Sequence, residues 1–388
     1  MRAELEQRLL VFVRGKLVAP ELDAHVTPQT LLFEKRIIDS LKILELIAFL
    51  ESATGRKIPD AQVVLANFRS IETMARTFAN SDAATRPRRL NRNGGPPRNL
   101  ARRFENSARG RAYFDDAGTI LLERGDVEWD AEGGVVLRDP VLALAGYFDA
   151  TVVRWAHELG ATDEAFAESI DIGTLERAGF VAAFPQKLVR MDGQSDHARS
   201  PAVCYHHYPH LAGCTVGEAG AVITAASRCW RNENDHDHPL ERLRAFTMRE
   251  IVAVGDESFV EQARQNLIER VSNWIVDLGL DGFIETATDP FFTSEARGRL
   301  LMQQLRPLKY ELRLNVSADG RTIAAASFNH HEDHFGRAFS IKKANGSIAA
   351  SGCIAFGWER WVLAFVAQHG PDEDGWPKNV RLRHAITA

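Results

Sequence analysis

The sequence is poor in several features that mark common classes of protein. Its 388 residues include only four cysteines, no apolar run near the roughly 20 residues that cross a bilayer, and 47 basic against 52 acidic residues. It also lacks the glycine-rich phosphate loops of the Walker and dinucleotide types. These absences argue against a disulfide framework, a membrane protein and a globally basic nucleic-acid-binding protein. We therefore expect a soluble, cytoplasmic chain with no membrane partner.

Length and composition predict two domains of unequal size. Residues 1–82 form the smaller domain in this prediction and residues 104–388 the larger one. Between them, residues 83–103 are rich in Arg, Pro, Gly and Asn and nearly free of apolar side chains, which predicts a linker. This linker is either a solvated tether or a basic arm that touches RNA or a partner, and the composition leaves both open.

Helical periodicity dominates the first domain. Helices are predicted over Glu4–Leu17, Leu41–Ser52 and Ser70–Ala79. The second is the clearest, because its apolar residues recur at helical spacing, Ser40 stands where an N-cap belongs and Gly55 follows. Taken alone, the Asp-Ser pair before this helix is an ordinary cap.

The segment Ile37–Leu41 resembles the Asp-Ser-Leu motif of acyl and peptidyl carrier proteins, and the resemblance extends over residues 1–82. It implies an N-terminal four-helix carrier-protein bundle in which Ser40 bears 4′-phosphopantetheine, added by a phosphopantetheinyl transferase. An exposed hydroxyl at a helix N-terminus suits this modification, because that end of a helix tolerates the added phosphodiester charge.

The second domain mixes strand and helix patterns. Strands are predicted over Gly134–Arg138, Ala245–Gly255, Tyr310–Val316 and Ile348–Gly357, and the longest helices over Leu142–Leu159 and Ser258–Leu278. Strands separated by long helical insertions, rather than by regular alternation, favour an antiparallel α+β domain.

Two strand ends in this domain carry residues suited to bind ATP. Arg231 and Glu233 precede a polar loop, and Arg242 and Phe246 follow it. This pattern resembles motif 2 of the class II aminoacyl-tRNA synthetases, in which aromatic-Arg-x-Glu on one strand is joined by a loop to Arg-x-x-x-Phe on the next. The resemblance implies that Arg231 neutralises the α-phosphate and that Glu233 accepts from the adenine amino group. It also implies that Phe246 stacks on the base while Arg242 faces the outer phosphates.

The segment Gly357–Arg360 resembles motif 3 of the same class, Gly-x-Glu-Arg. There Gly357 permits close approach to the nucleotide, and Arg360 adds a cation at a helix start. Both motifs, in order, imply a class II synthetase-type antiparallel sheet domain flanked by helices, whereas a single Arg-x-Glu pair would indicate only a surface ion pair. The helix over Leu142–Leu159, followed by Phe184–Pro185, resembles motif 1 weakly, and a homodimer is expected from it.

Cys204, Glu250 and Cys353 are far apart in the sequence, so their spacing indicates nothing by itself. The resemblance implies more, because atypical seryl-tRNA synthetases of methanogens and the amino acid:carrier protein ligases related to them hold zinc with a Cys, Glu, Cys set at these landmarks. Two thiolates and a carboxylate leave one tetrahedral position for a substrate amine. Period two adds support: Met248 and Glu250 share one face of their strand, and Cys353, Ala355 and Gly357 share one face of theirs, so that Glu250 and Cys353 could point into the same cleft. The alternative is buried free cysteines beside an ion-paired glutamate.

Glu311 and Asn329 resemble positions that line the ATP and amino acid pocket of these ligases, so both are expected to contact ATP or Mg²⁺. The alternative is that they cap or bridge strands. We expect Cys214 and Cys229 to be structural. The histidines are expected mostly at the surface or near substrate; they include His206, His207, His236, His238 and His330.

Together the resemblances imply a ligase that uses ATP and Mg²⁺ to activate a small amino acid, glycine or alanine, as an aminoacyl adenylate. The amino acid then passes to the phosphopantetheine thiol of its own or a related carrier domain. Arg231, Glu233 and Arg360 are the expected catalytic residues. A catalytically inactive synthetase-like scaffold or RNA-binding paralogue remains the alternative. A true aminoacyl-tRNA synthetase is disfavoured, because no tRNA-binding arm is recognisable, and no tRNA partner is expected.

Overall fold

The structure is a computed structural model. It describes residues 2–18, 25–33, 35, 37–38, 42–59, 62–79, 100–105, 113–232, 239–287 and 308–381. The chain divides into two compact units, one comprising Met1–Asn99 with Thr286–Lys309 and the other Leu100–Glu285 with Tyr310–Ala388. In the described part of the chain, no helix combines the length and hydrophobicity needed to cross a membrane.

The first unit is helical where it is described. Helix α1 spans Arg2–Phe12 and runs into a π-helical turn at Val13–Leu17; the others are α2 Lys42–Thr54, α3 Leu65–Phe68 and α4 Ile71–Phe78. The three predicted helices are therefore confirmed to within a few residues, and the short α3 was not predicted. Leu9 of α1, Leu46 of α2 and Met74 of α4 are completely buried in one apolar cluster. Ser70 caps α4 by accepting from the Thr73 N–H at 3.2 Å.

Apart from the strand-end residues Thr286 and Lys309, which fall in the first unit, the remaining elements lie in the second unit. Its strands are β1 Leu100–Phe104, β2 Val127–Trp129, β3 Val135–Leu137, β4 Thr162–Asp163, β5 Ser169–Asp171, β6 Arg190–Met191, β7 Gln194–Arg199, β8 Thr215–Val216, β9 Ala221–Trp230, β10 Ala245–Gly255, β11 Gly282–Thr286, β12 Lys309–Asn315, β13 Thr322–Glu332, β14 Lys342–Lys343 and β15 Ala350–Gly357. Its helices are α5 Ala117–Arg124, α6 Val141–Glu158, α7 Ile172–Arg177, α8 Phe180–Ala183, α9 Cys204–His210, α10 Glu257–Asp277, α11 His334–Phe339, α12 Trp358–His369 and α13 Lys378–Arg381.

Eight strands form one sheet in the order β1-β11-β12-β13-β15-β10-β9-β4. The pairs β1–β11, β13–β15, β15–β10 and β10–β9 are antiparallel, whereas the two-residue edge strand β4 runs parallel to β9. The predicted antiparallel α+β character of this domain is confirmed. The strand predicted over Ala245–Gly255 and the helices predicted over Leu142–Leu159 and Ser258–Leu278 match the observed elements to within one residue.

The two faces of the sheet differ in what covers them. One face packs against α6, α10 and α12 through aromatic contacts, with the rings of Phe148 and Trp274 5.6 Å apart and those of Trp274 and Trp361 4.7 Å apart. The opposite face carries Met248, Cys353 and neighbouring small residues, and it packs against α9 and α11. This second face is the one that carries the candidate site.

The predicted linker ends too late in the sequence. Residues 100–103 belong to β1, which pairs with β11 so that Phe104 lies opposite Gly282. Arg102 and Arg103 are exposed, but their side chains also lie against aromatic rings: the Arg102 guanidinium carbon is 5.6 Å from the ring centre of Phe104, and that of Arg103 is 5.8 Å from the ring centre of Phe283. Arginine stems and guanidinium groups can pack on aromatic rings, so composition alone misplaced this boundary.

Candidate active site and metal centre

The sheet register places the two motif segments at the same end of the sheet. Strand β9 ends at Trp230, next to Ala245 at the start of β10, and β15 ends at Gly357, opposite Met248 of β10. The ends of β9 and β15, the two strands that flank β10, are therefore adjacent in the sheet. One end carries Arg231 and the other begins helix α12, so two segments far apart in sequence border one surface.

Arg231 and Phe246, both predicted to contact ATP, are neighbours at this end. The guanidinium carbon of Arg231 lies 5.2 Å from the centre of the Phe246 ring, and Arg231 Nε donates to the Pro201 carbonyl at 3.0 Å. The Arg231 backbone N–H donates to the Arg244 carbonyl at 2.9 Å, which extends the β9–β10 pairing by one step. The cation is thus held by the fold itself, as preorganised charge stabilisation requires.

Arg360 is braced in a similar way in the first turn of α12. Its Nε donates to the Glu241 carbonyl at 2.8 Å and its Nη1 to the Ala324 carbonyl at 3.0 Å. The neighbouring Glu359 is buried and accepts from the Thr247 N–H at 2.8 Å, and burial raises the pKa of its carboxyl. Glu359 therefore ties the motif 3 helix to the motif 2 strand. Its second oxygen, Oε2, makes no hydrogen bond within the described residues.

Two cysteine thiols and a glutamate carboxyl converge where α9 packs against the sheet. Glu250 lies in β10, Cys353 lies in β15 and Cys204 is the first residue of α9. The two sulfurs and a Glu250 oxygen all lie within 4.8 Å of one another, and the exposed fractions of Cys204, Glu250 and Cys353 are 6, 2 and 3%. Glu250 is fixed from two sides, because the Cys204 N–H donates to Oε2 and Thr224 Oγ1 donates to its carbonyl at 2.8 Å. The structure thus brings together the three residues predicted as a zinc set.

This donor set fits a zinc ion. Burial raises the pKa of Glu250 to about 7, and the hydrogen bond to Cys353 together with burial raises the pKa of Cys204 well above its usual value. Groups that become anionic on deprotonation therefore share a place where uncompensated negative charge is costly. A divalent cation offsets that cost, and two thiolates with a carboxylate are ligands that zinc takes in tetrahedral sites with one position open.

The other predicted ATP contacts lie on the strands beyond β15 and in the loop after β9. Glu311 of β12 pairs with Arg313, Oε2 to Nη1, at 3.6 Å. Asn329 of β13 lies opposite Cys353, and its Nδ2 is 3.4 Å from the Cys353 sulfur, so this amide borders the thiol cluster. Arg242 is exposed. Two predicted site residues, Glu233 and Ser40, lie outside the described residues.

The surface placement predicted for several histidines is wrong. His206, His207 and His330 are all buried. His207 Nδ1 lies 2.7 Å from Glu164 Oε2, and His206 Nε2 lies 3.0 Å from Ser200 Oγ. One nitrogen of each of these two rings thus has a polar partner, which favours burial, whereas His207 Nε2 makes no hydrogen bond within the described residues. His236 and His238 lie outside the described residues.

Sequence reasoning also missed a polar network beside Cys353, formed by His331, Tyr208 and Ser351. His331 Nε2 lies 3.5 Å from the Cys353 sulfur, and His331 Nδ1 lies 3.1 Å from Tyr208 Oη and 3.3 Å from Ser351 Oγ. The available sign was period two along β13, which places His331 on the same face as Asn329.

The sheet and its flanking helices are those of the class II aminoacyl-tRNA synthetase fold. The seryl-tRNA synthetase of M. kandleri, solved in complex with A. aeolicus tRNASec, matches with a TM-score of 0.65 at 21% identity, over 74% of this chain and 63% of that one. The cytoplasmic serine–tRNA ligase of Naegleria fowleri, solved with AMP, matches with a TM-score of 0.62 at 11% identity, over 76% and 65%. At these identities the likeness shows the fold alone.

Comparison with curated sequences identifies the family within this fold. No protein-family model matches the chain. Amino acid–[acyl-carrier-protein] ligase 1 of Bradyrhizobium diazoefficiens is 30% identical over 276 residues, 63% of this chain and 84% of the relative; ligase 2 of the same organism is 34% identical over 234 residues, 53% and 70%. A type-2 serine–tRNA ligase of Methanococcus maripaludis is 33% identical over 208 residues, 51% of this chain and 40% of the relative. The chain belongs to the amino acid–[acyl-carrier-protein] ligases, a family of enzymes.

Proposed function

We propose that this protein activates a small amino acid, glycine or alanine, with ATP and Mg²⁺ and loads it onto a phosphopantetheine-bearing carrier. The observation that carries the proposal is the meeting of Cys204, Glu250 and Cys353 on a sheet whose strand ends present Arg231 and Arg360. The family to which the chain belongs supports the same chemistry.

In the first step a carboxylate oxygen of the amino acid attacks the α-phosphorus of ATP. The bond from that phosphorus to the bridging oxygen breaks, and pyrophosphate leaves. Negative charge builds up on the α-phosphate, and Arg231 stabilises it in this proposal, while Arg360 and Arg242 hold the outer phosphates. The carbonyl groups that brace Arg231 and Arg360 support these roles, because they fix both cations before ATP arrives. Phe246 and Glu233 hold the adenine, and Glu311 and Asn329 contact ATP or Mg²⁺.

Cys204, Glu250 and Cys353 would hold a zinc ion, which supplies a Lewis-acidic position for the substrate amino group. Such a position favours amino acids over carboxylic acids that lack the amine. The order along β10 supports this division of labour. Phe246 lies at the strand end and Glu250 four residues further on, about 13 Å away at the usual rise per residue. One end of the site would then take the nucleotide and the other the amine.

The proposed acceptor is the N-terminal unit, with Ser40 as its attachment point. The Asp-Ser-Leu sequence directly before α2 and the apolar core shared by α1, α2 and α4 support a carrier domain over residues 1–82. A phosphopantetheine thiol on Ser40 would attack the carbonyl carbon of the adenylate and release AMP. Attachment to the same chain raises the local concentration of that thiol. A homodimer through α6 would allow the same step between chains.

Pyrophosphate exchange into ATP, measured with each of the twenty amino acids, tests the activation step. We expect exchange with glycine or alanine and little with large side chains. Intact mass of the pantetheinylated protein after incubation with ATP and the active amino acid then tests loading. Exchange with none of the twenty would contradict the proposal and favour the inactive scaffold.

Substitution of Gly357 by alanine is expected to weaken ATP binding without harming the fold. Gly357 has φ −106° and ψ 107°, which alanine adopts freely, and a Cβ at this position meets no protein atom within 4 Å. The fold therefore does not require glycine here, whereas a nucleotide packed against this backbone would leave no room for a Cβ. A methyl clash of about 1–3 kcal/mol corresponds to a KM for ATP raised about 5- to 150-fold, measured in the exchange reaction.

Gly217→Ala is the matched control, because its Cβ also meets no atom within 4 Å and Gly217 lies outside the proposed ATP site. Both variants should keep the wild-type melting temperature. An unchanged KM for ATP in the Gly357 variant would show that the nucleotide does not approach this glycine.

A further inference from the structure

A bulge in β13 determines where His331 lies. His330 is opposite Gly352 and Glu332 is opposite Ser351, so His331 is an extra residue without its own partner in β15. Glu332 has φ 54°, a left-handed conformation that residues other than glycine seldom adopt. Bulges of this kind occur beside functional sites, where they change the direction of a side chain.

At the bulge, the two ring nitrogens of His331 meet two different environments. Nε2 lies 3.5 Å from the Cys353 sulfur. Nδ1 lies 3.1 Å from Tyr208 Oη and 3.3 Å from Ser351 Oγ. Tyr208 is wholly buried, and its ring stacks on Phe335 at 4.0 Å between centres, so the hydroxyl is fixed by packing.

A metal-bound Cys353 sulfur would determine which ring nitrogen of His331 carries the hydrogen, because such a sulfur can only accept. A thiolate ligand has only lone pairs to offer, so His331 Nε2 must carry a hydrogen to bond with it. In a neutral imidazole, Nδ1 is then the acceptor, and Tyr208 and Ser351 each supply an O–H group that can donate to it. The single lone pair of Nδ1 accepts from one of these hydroxyls, so both ring nitrogens are satisfied in that tautomer.

His331 is too far from the other members of the cluster to be a fourth ligand. The group of described residues whose donor atoms all lie within 4.8 Å of one another contains Cys204, Glu250 and Cys353 and does not include His331. Its ring therefore contacts one ligand from outside the group. Asn329 Nδ2 approaches the same sulfur at 3.4 Å but also lies 3.1 Å from Ser327 Oγ and 3.4 Å from the Cys353 carbonyl, so its hydrogens are shared.

We propose that His331 is a positioning residue for the metal centre: its Nε2–H donates to the Cys353 thiolate, and Tyr208 and Ser351 hold the ring in the tautomer that allows this. The role rests on the proposed metal site. Donation to the sulfur fixes the orientation of the ligand and reduces the charge that it passes to the metal. Groups that contact metal ligands in this way typically contribute 10- to 100-fold to metal affinity.

Three full-length proteins test the proposal: wild type, His331→Met and His331→Gln. Methionine fills similar space without an N–H, whereas glutamine can place an amide N–H near the former Nε2. Zinc affinity is measured by competition with a chelator, and Co²⁺-loaded samples report the sulfur-to-metal charge-transfer band. We expect His331→Met to bind zinc about 10- to 100-fold more weakly. Its cobalt band should move to longer wavelength, because the sulfur lone pairs lose a stabilising donor. Glutamine should recover most of both properties.

The possible failures are distinguishable. A wild-type chain that binds neither zinc nor cobalt overturns the metal site and this role with it. A wild-type chain that binds metal, together with a folded His331→Met variant of equal affinity and unchanged cobalt band, overturns the role of His331 alone. Equal losses in both variants would show that the ring acts by packing or as a ligand. Nitrogen-15 shifts of the zinc-loaded protein must also show a protonated Nε2, and a protonated Nδ1 would contradict the proposed tautomer.

Discussion

Replacing Cys353 by serine is expected to remove the bound zinc and, with it, amino-acid-dependent pyrophosphate exchange. A serine hydroxyl does not ionise as a thiol does and is not among the usual zinc ligands, so the buried cluster would keep only one sulfur. Loss of several kcal/mol of charge stabilisation corresponds to an exchange rate lower by about a thousandfold or more. Cys204→Ser should behave in the same way, because the two sulfurs and Glu250 occupy one group within 4.8 Å. Metal content by mass spectrometry and the exchange rate check both variants.

The two remaining cysteines give matched controls. Cys214 is exposed and Cys229 is buried, and neither belongs to the Cys204, Glu250 and Cys353 group. Alanine is the suitable replacement at Cys229, because the 3.9 Å from its sulfur to the Ser227 carbonyl is too long for a hydrogen bond from a serine hydroxyl. Both control variants should keep zinc and exchange. If Cys353→Ser folds by circular dichroism and still binds one zinc with normal exchange, the metal site is not where we propose it.

The placement of Glu250 and Cys353 on two long strands could be predicted because long strands have strong local patterns. The strand predicted over Ala245–Gly255 is observed with the same ends, and β15 begins two residues later than predicted. Once two neighbouring strands are known, alternation decides which side chains share a face. Cys204 is different, since it begins a seven-residue helix that is placed by its N–H contact with Glu250. No local pattern predicts such a long-range contact, and the family resemblance alone suggested it.

Period two along β13 indicates the strand face of His331, but the contacts that His331 makes could not be predicted, because they depend on a bulge. An extra residue in a strand changes which side chains face the core. The left-handed residue that accompanies this bulge is Glu332 and not glycine, so the sequence gives no sign of it. The burial of His206 and His207 also depends on contacts that no local pattern indicates. His206 and His207 are polar by type, and the partner of His207, Glu164, lies 43 residues away in the sequence, while that of His206, Ser200, lies six residues away across an irregular segment.

Ser40→Ala is expected to abolish loading completely while leaving pyrophosphate exchange at the wild-type rate. The hydroxyl of Ser40 is the proposed attachment atom for phosphopantetheine, and alanine offers no oxygen to form the phosphodiester. Activation uses Arg231, Arg360 and the metal centre, all in the second unit, so it should not depend on this change. Coexpression with a phosphopantetheinyl transferase, followed by intact mass, measures the modification and the later gain of an aminoacyl group.

Ser52→Ala is the matched control, since Ser52 is an exposed serine of α2 in the same unit. It should accept one phosphopantetheine and one amino acid, as wild type does. Mixing Ser40→Ala with Cys353→Ser then separates the routes of transfer, because one chain can only activate and the other can only accept. Loading of the Cys353 variant in the mixture would show transfer between chains. Loading confined to wild type would show transfer within one chain, and a phosphopantetheine found on Ser40→Ala would disprove the attachment site.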